Sequence, residues 1–541
     1  MYSGNVLWKD IFSYVMNDTL LPVFNRTVSL YSNTVSNLYE TLRNTANTFP
    51  DKTAIVDNYD RPCTYTELLA KTDSFAAYLY QELHVERNSH VALMMYNCLE
   101  FCVAFLALLK LGAVTVPLPS KYKKQEVASL IEKADVSCII CDQDFYDWFE
   151  EFETQGIHRI ACSDIEQGYG LEAYHSDSES PVFNDPFDDA IIMFTSGTTS
   201  QSKGVVIKNY NIMNAVTTYQ KILNITSDDV SVIPIPIYHV TGMVALLGLF
   251  VHCGGTLYLH KIFNARRVLQ CVKDHNVTFL HASPTVFSML LEEKDSFPSL
   301  PTLKQFACGS SNMPKEKLDA IHNCLPHSVF HTVYGLTETT SPATIFPGDA
   351  STSPYIGSSG LPVPGTVFEI RDDNGNLVKD GEIGEIWIYG NVVLTSYYKL
   401  ETPSLKDGWL GTGDLGYFNK EGYLFVVDRK KDMINRGGEK ICSFDVENEI
   451  YKLEGVNEAA VVGIPDEVYG EVAAALVKLD PESNLDEKKI QELLRKKIAK
   501  YKIPKRILIA DEIPLTPNGK GNKRAIRKMF CMNNKSDRRA L

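Results

Sequence analysis

Between Asn37 and Cys308, short apolar runs recur at intervals filled by helical patterns. Thr53–Val56, His90–Met95, Ala113–Pro117, Ser137–Cys141, Val230–Pro234, Gly255–Leu259, Val277–Leu280 and Gln305–Cys308 have the length and character of strands, while Leu38–Ala46 and Tyr65–Leu83 read as helices. Strand and helix in alternation imply βαβ units, so the expected class is α/β with parallel sheets. At 541 residues the chain exceeds one core and calls for two or three domains.

Inside this rhythm, Ala190–Met193 leads into Phe194-Thr195-Ser196-Gly197-Thr198-Thr199-Ser200-Gln201-Ser202-Lys203-Gly204, and Val205–Ile207 leads out. The pattern predicts a buried strand, a hydroxyl- and glycine-rich hairpin and a second strand. The hydroxyls of Thr195, Ser196, Thr198 and Thr199, with backbone N–H groups freed by Gly197 and Gly204, make a nest for anionic oxygens, and Lys203 adds a positive charge. This is a phosphate grip but not a Walker loop, because Ser202 precedes and Gly204 follows the lysine.

A net charge of -14 argues against general nucleic-acid binding, which needs a basic face to displace phosphate counterions. Only Lys488 to Arg539 is locally basic. Twelve cysteines without a regular framework suit a reducing, cytoplasmic setting, and Cys138-Ile139-Ile140-Cys141 reads as core. Met1 to Phe24 reads as neither signal peptide nor membrane span. Phe101–Leu109 and Val240–Val251 are too short to span a bilayer and are expected as buried helices.

Three blocks are expected. Residues 1–35 form an N-terminal extension, part helix and part loop. Residues 36–428 form a large domain whose end, 362–428, turns to short alternating strands and reads as a β-rich subdomain. Residues 429–541 form a small, mobile α+β domain.

Five further stretches keep company with the loop: Pro234–Gly242, containing Tyr238-His239; Tyr334-Gly335-Leu336-Thr337-Glu338-Thr339-Thr340; Gly408–Gly416, containing Gly411-Thr412-Gly413-Asp414; Asp428–Lys440; and Pro514–Lys520. In this order they resemble the adenylate-forming superfamily of acyl-CoA synthetases, aryl-CoA ligases, peptide-synthetase adenylation domains and beetle luciferases. The likeness runs from about Asn37 to Lys528 and is nearest to acyl- and aryl-CoA synthetases.

The resemblance implies an ATP- and Mg²⁺-dependent ligase that activates a fatty or aromatic carboxylic acid as acyl-AMP and passes it to coenzyme A. It implies that Thr195 to Gly204 hold the β- and γ-phosphates, that Thr337 touches the α-phosphate, and that Glu338 binds Mg²⁺. Tyr334 is expected against adenine and Asp414 on the ribose, with Arg429 nearby. Lys520 bridges carboxylate and phosphate in the first step. Lys431 is the hinge, and the Gly437-Gly438 loop faces the site for the second step. His239 gates or lines the acyl pocket, and the absence of an acid near it favours a substrate without an α-amine. Ser200 and Ser202 depart from the family's usual Gly and Pro, and Gly411 from a larger residue. Two readings stay open beside this one: loading of an acyl carrier protein instead of coenzyme A, and a non-catalytic nucleotide- or acyl-binding module.

Overall fold

The computed structural model describes residues 1–9, 14–21, 26–32, 34–163, 176–195, 202–297, 299–309, 315–516 and 521–537. Two sheets organise the large domain. The first has six strands in the order Gly204–Lys208, Asp189–Phe194, Val114–Pro117, His90–Met94, Cys138–Asp142, His158–Ser163. The second has nine, running Leu361–Pro362, Thr344–Ile345, Val329–Tyr334, Gln305–Cys308, Phe279–Ala282, Val230–Ile233, Thr256–Leu259, Thr53–Val56, Pro62–Thr64. The interior pairs are parallel, as the alternation predicts; antiparallel strands close both ends of the second sheet and the Gly204–Lys208 end of the first, whose other end strand, His158–Ser163, is parallel.

Apolar residues of both sheets join one core with the helices Leu38–Thr48, Leu99–Lys110 and Asn209–Leu223. In Leu99–Lys110 every residue is buried, which explains its almost unbroken apolar sequence. Its two charges are neutralised: Lys110 lies 2.9 Å from Asp73, and Glu100 lies 3.7 Å from Arg61. No described helix is long and apolar enough to cross a membrane.

The second apolar run differs from its expected form. Thr241–Gly248 is a π-helix, continued by an α-helix only over Leu249–Cys253. Gly248 presses against Leu38 and Val216, where a Cβ would approach within 3.1 Å, so the wider turn is packed closely on its neighbours.

The β-rich subdomain is a third, antiparallel sheet built on Thr366–Arg371, Gly384–Gly390, Trp409–Phe418 and Leu424–Arg429. The N-terminal segment is less a helix-and-loop extension than expected. Tyr2–Ser3 adds a strand to this third sheet opposite Val367 and Phe368, Met16–Leu21 pairs antiparallel with Arg26–Tyr31, and among the described residues of the segment only Gly4–Leu7 is helical. Trp8 is buried and donates from Nε1 to the Pro362 carbonyl at 2.8 Å, so unpaired sheet edge and apolar surface recruit the segment into the body of the protein.

The C-terminal part is a five-stranded sheet, Glu439–Ile441, Ile434–Arg436, Gly470–Leu479 and Val456–Asp466 in order with Arg506–Ile509 beside Gly470–Leu479, and the helices Ser443–Tyr451, Glu487–Leu494 and Lys523–Asp537. Asp428, at the end of the third sheet, is fully buried and accepts from the backbone N–H of Ser443 at 2.6 Å, which opens a helix of the C-terminal part. The Ser443 hydroxyl adds a bond at 2.9 Å. Asp428→Ala strands both donors and is expected to cost about 1–3 kcal/mol, read as a lower urea midpoint at unchanged m.

Beneath this contact Lys523 donates to the Ser443 hydroxyl at 2.6 Å and lies 3.6 Å from Glu447. Burial pushes the Glu447 carboxyl up from 4.5 to about 7, against the pull of Lys523. Because the folded value lies above the unfolded one, Glu447's contribution is complete below pH 4.5 and is lost as pH rises through about 7. In Glu447→Gln the fall in melting temperature from pH 5 to 8 should be smaller than in wild type; an equal fall would assign that pH dependence elsewhere.

Candidate active site

The two expected strands pair antiparallel, with Ile191 opposite Ile207 and Phe194 opposite Gly204. Ser196, Gly197, Thr198 and Thr199 lie outside the described residues. The neck below them is closed: Thr195 N–H donates to the Lys203 carbonyl at 3.0 Å, and Lys203 N–H donates to the Thr195 hydroxyl at 3.4 Å. Lys133, on a separate helix, donates to the Ser202 carbonyl. At Gly204 a Cβ would come within 3.1–3.3 Å of Ile192, Tyr398 and Phe194, so the strand passes close to Tyr398.

That close approach builds the site. The Gly204 carbonyl accepts from Tyr398 N–H at 2.7 Å, and Val206 N–H donates to the Ser396 carbonyl at 3.3 Å. Tyr397, between them, bridges two motifs. Its ring lies 4.9 Å beneath the Lys203 ammonium, and its hydroxyl donates to Glu338 Oε1 at 3.2 Å. Burial and then the Glu338 charge raise the Tyr397 phenol, which keeps it a donor. The Glu338 carbonyl is held by Leu394 N–H at 2.9 Å. The loop's lysine and the second motif's carboxylate are thus brought to one place by a tyrosine that no motif marked.

Thr337, Glu338 and Thr339 form one turn of 3₁₀ helix directly after strand Val329–Tyr334. Thr339 Oγ1 accepts from Leu336 N–H at 2.9 Å, closing the turn. Thr340 and Ser341 follow with φ of 52° and 40°, a left-handed pair that costs free energy in residues with a Cβ. Thr340 is held there by a bond from its hydroxyl to the Val392 carbonyl at 3.1 Å.

Asp414 and Arg429 are direct partners across two strands of the third sheet. Arg429 Nε lies 3.2 Å from Asp414 Oδ1, and Tyr334, from the second sheet, donates its hydroxyl to Asp414 Oδ2 at 2.8 Å. Asp414 is 4% exposed, so its charge is carried by these two partners. Burial, then the Asp414 charge, hold the Tyr334 phenol well above its ordinary value. Gly411 is accounted for here: a Cβ would meet the Trp387 ring at 2.9 Å, so the larger residue common in the family has no room.

His239 packs edge-on to Tyr238 with ring centroids 4.6 Å apart, and its carbonyl accepts from Met243 N–H at 2.8 Å. Asn97 fixes the preceding turn, donating to the Ile235 carbonyl at 2.8 Å and accepting from Ile237 N–H at 2.7 Å. Gly242 lies against the same turn, with Ile237 Cα and carbonyl oxygen 2.7 Å from the place of a Cβ.

Lys431 is exposed between Leu424–Arg429 and Ile434–Arg436, in a turn closed by Met433 N–H to the Arg429 carbonyl at 3.0 Å. Gly437 and Gly438, with φ of 58° and 95°, form the tip of the hairpin that follows. This tip is exposed, and it is held by Tyr469 and Asn435 of the C-terminal sheet rather than by the Tyr334–Asp414–Arg429 cluster. Lys520 lies outside the described residues.

Among the described residues no group of three or more His, Cys, Asp or Glu side chains could hold a metal alone. Glu338 has one oxygen on Tyr397 and a second for a cation, which suits Mg²⁺, an ion that takes one or two carboxylates and completes its shell from phosphates and water. The geometry therefore brings Lys203 and the Glu338 carboxylate to one tyrosine, Tyr397, and places the buried Asp414 carboxylate between Tyr334 and Arg429. Sequence reasoning missed Tyr397, Asn97 and Lys133, whose partners are distant in the chain.

Gly242→Ala should lower stability by about 1–3 kcal/mol, since backbone rather than a flexible side chain stands in the way. A melting temperature within a degree of wild type would show that the turn carrying His239 has slack.

Comparison with known proteins gives the same outline. Residues 42–398 match the AMP-binding enzyme family and residues 445–520 match the AMP-binding enzyme C-terminal domain. Oxalate–CoA ligase of Arabidopsis thaliana is 29% identical over 92% of this chain and 99% of its own. Long-chain-fatty-acid–CoA ligase FadD13 of Mycobacterium tuberculosis is 29% identical over 90% of this chain and 97% of its own. The o-succinylbenzoate CoA synthetase (MenE) from Bacillus subtilis, solved in complex with the acyl-adenylate intermediate OSB-AMP, superposes with a TM-score of 0.80 at 28% identity, covering 90% of this chain and 97% of that one.

Proposed function

The chain belongs to the AMP-binding enzyme family, and from that premise we propose that it is an ATP-dependent acid–thiol ligase, activating a fatty or aromatic carboxylic acid as acyl-AMP and transferring the acyl group to coenzyme A. The observation that carries this reading is the convergence of Lys203, Tyr397 and Glu338 on one side with Tyr334, Asp414 and Arg429 on the other. A binding module has no need of a hard-cation ligand locked to a phosphate lysine.

In the first step a substrate carboxylate oxygen attacks the α-phosphorus of ATP and pyrophosphate leaves. Lys203, with Thr195, the hydroxyls of Ser196, Thr198 and Thr199 and the backbone at Gly197 and Gly204, holds the β- and γ-phosphates. Thr337 contacts the α-phosphate. Glu338 would hold Mg²⁺, which when bound would supply positive charge to the phosphate oxygens. Asp414 accepts from the ribose hydroxyls, its orientation fixed from both sides by Tyr334 and Arg429, and the Tyr334 ring supports adenine. Lys520 bridges the carboxylate and the α-phosphate as charge builds, a task suited to a compact mobile ammonium.

In the second step the thiol sulfur attacks the acyl-AMP carbonyl and AMP leaves. Gly437 and Gly438 are solvent-exposed in this arrangement, so the second step needs the C-terminal part to turn about Lys431 and bring them to the site. Exposed ion pairs such as Lys478–Glu292 at 3.5 Å and Lys440–Asp373 at 3.9 Å are cheap to exchange. Domain limits at 36–428 and 429–541 follow from that hinge. His239 lines the acid's entry. The relatives named above are CoA ligases, which supports coenzyme A over a carrier protein as acceptor.

AMP release from Mg-ATP across fatty, aromatic and amino acids, with and without coenzyme A and with products identified by mass, tests this reading. An acyl-CoA product is expected; nucleotide binding without AMP formation for any acid would contradict it. Lys520→Ala should lower adenylate formation by about 10²-fold or more while sparing thioester formation from supplied acyl-AMP. Lys431→Pro should reverse that pattern, sparing the first step and blocking the second.

A further inference from the structure

Three buried polar side chains meet beside the adenylation motif and have no part in the chemistry above. Tyr219 comes from helix Asn209–Leu223, His281 from strand Phe279–Ala282, and Ser341 from the left-handed pair after Thr337–Thr339. The Tyr219 hydroxyl lies 3.3 Å from His281 Nε2 and 3.1 Å from Ser341 Oγ. Tyr219 is 0% and His281 2% exposed. His281 Nδ1 is buried and has no hydrogen-bond partner among the described residues.

A buried, unpaired ring nitrogen is uncommon, because a polar atom taken out of water needs a replacement partner. The ring edge reaches the end of the neighbouring strand beside the site. A Cβ on Gly309 would lie 3.7 Å from His281 Cε1, the carbon between the two ring nitrogens, and 3.2 Å from the carbonyl oxygen of Val333, the residue before Tyr334. The imidazole edge, Gly309, Val333 and Ser341 therefore border one region at the carboxyl ends of parallel strands, where open α/β sheets bind ligands.

The chemistry narrows the ligand. Burial holds the His281 imidazole down at about 3, so the ring is neutral and Nδ1 is either one donor or one acceptor. If Tyr219 donates to Nε2, Nδ1 carries the proton and needs an acceptor; if Nε2 donates to Tyr219, Nδ1 needs a donor. A hydroxyl meets either case and a ketone the first. None of the contacts made by the three residues is to a lysine or arginine, so a second carboxylate would be buried there without a counter-charge.

We propose that His281, with Tyr219 and Ser341, forms a subsite for an uncharged oxygen substituent, a hydroxyl or a ketone, on the acyl chain of the acid the enzyme activates. This rests on the acid-ligase reading above and narrows its substrate from a plain fatty or aromatic acid to an oxygenated one.

The test uses the full chain and calorimetric binding of octanoate and a series of hydroxyoctanoates with the hydroxyl moved along the chain, beside turnover of the same acids. One positional isomer should bind about tenfold or more tightly than octanoate in wild type, and the ratio should fall towards one in His281→Leu and in Ser341→Ala. If His281→Leu does not fold, as judged by its melting transition, Tyr219→Phe replaces it, since it keeps the shape and removes the hydroxyl that orients the ring. No isomer tighter than octanoate, or a preference that survives in the folded variants, would overturn the subsite. Hydroxyl preference in binding with no turnover of any acid would sustain the subsite and reject the ligase reading; turnover of octanoate and every isomer with equal kcat/KM and equal affinity would do the reverse.

Discussion

The site depends on a short stretch of backbone pairing between distant parts of the chain. Gly204 and Val206, leaving the phosphate loop, bond to Tyr398 and Ser396, nearly two hundred residues later. The pairing is close: a Cβ on Gly204 would lie 3.2 Å from Tyr398 Cβ. Its consequence is chemical: Tyr397 is delivered with the Lys203 ammonium over its ring and the Glu338 carboxylate at its hydroxyl, so a lysine and a carboxylate from two distant motifs meet at one side chain. Without that pairing, the loop of the first sheet and the turn of the second would be two surface features of separate layers.

A second junction, between the second and third sheets, works by charge. Asp414 is almost fully buried, and an isolated carboxylate there would be costly. Arg429 and Tyr334 remove that cost and fix the carboxylate's orientation. Arg429 also ties this junction to the C-terminal part, since Asp428, one residue before it, anchors the first helix there. On the proposed function, nucleotide contact at Arg429 and the hinge at Lys431 fall within the same four consecutive residues, 428–431.

Much of this architecture was legible in the sequence because its causes are local. Strand rhythm follows from apolar runs of fixed length, and the hairpin from glycines and hydroxyls between two such runs. What escaped was set by partners far along the chain. Tyr397 lies in Ser396-Tyr397-Tyr398, where nothing nearby distinguishes a bridging tyrosine from a core one. Tyr219 and His281 read as ordinary helix and strand residues until α/β packing brings them to Ser341. The π-helix at Thr241–Gly248 has the composition of any buried helix, and its glycines make sense only against Leu38, Val216 and Ile237. Tyr2–Ser3 became a strand because the third sheet left it an edge.

The central claim is that the two junctions form a single adenylation site. Acid-dependent exchange of labelled pyrophosphate into ATP isolates the first step and reports on both at once. With Lys203→Ala at one junction and Asp414→Ala at the other, the account predicts that each substitution lowers exchange by about tenfold or more in a protein that still melts cooperatively. Exchange at the wild-type rate in either folded variant would contradict it, because that residue would then lie outside the place where the acid meets ATP.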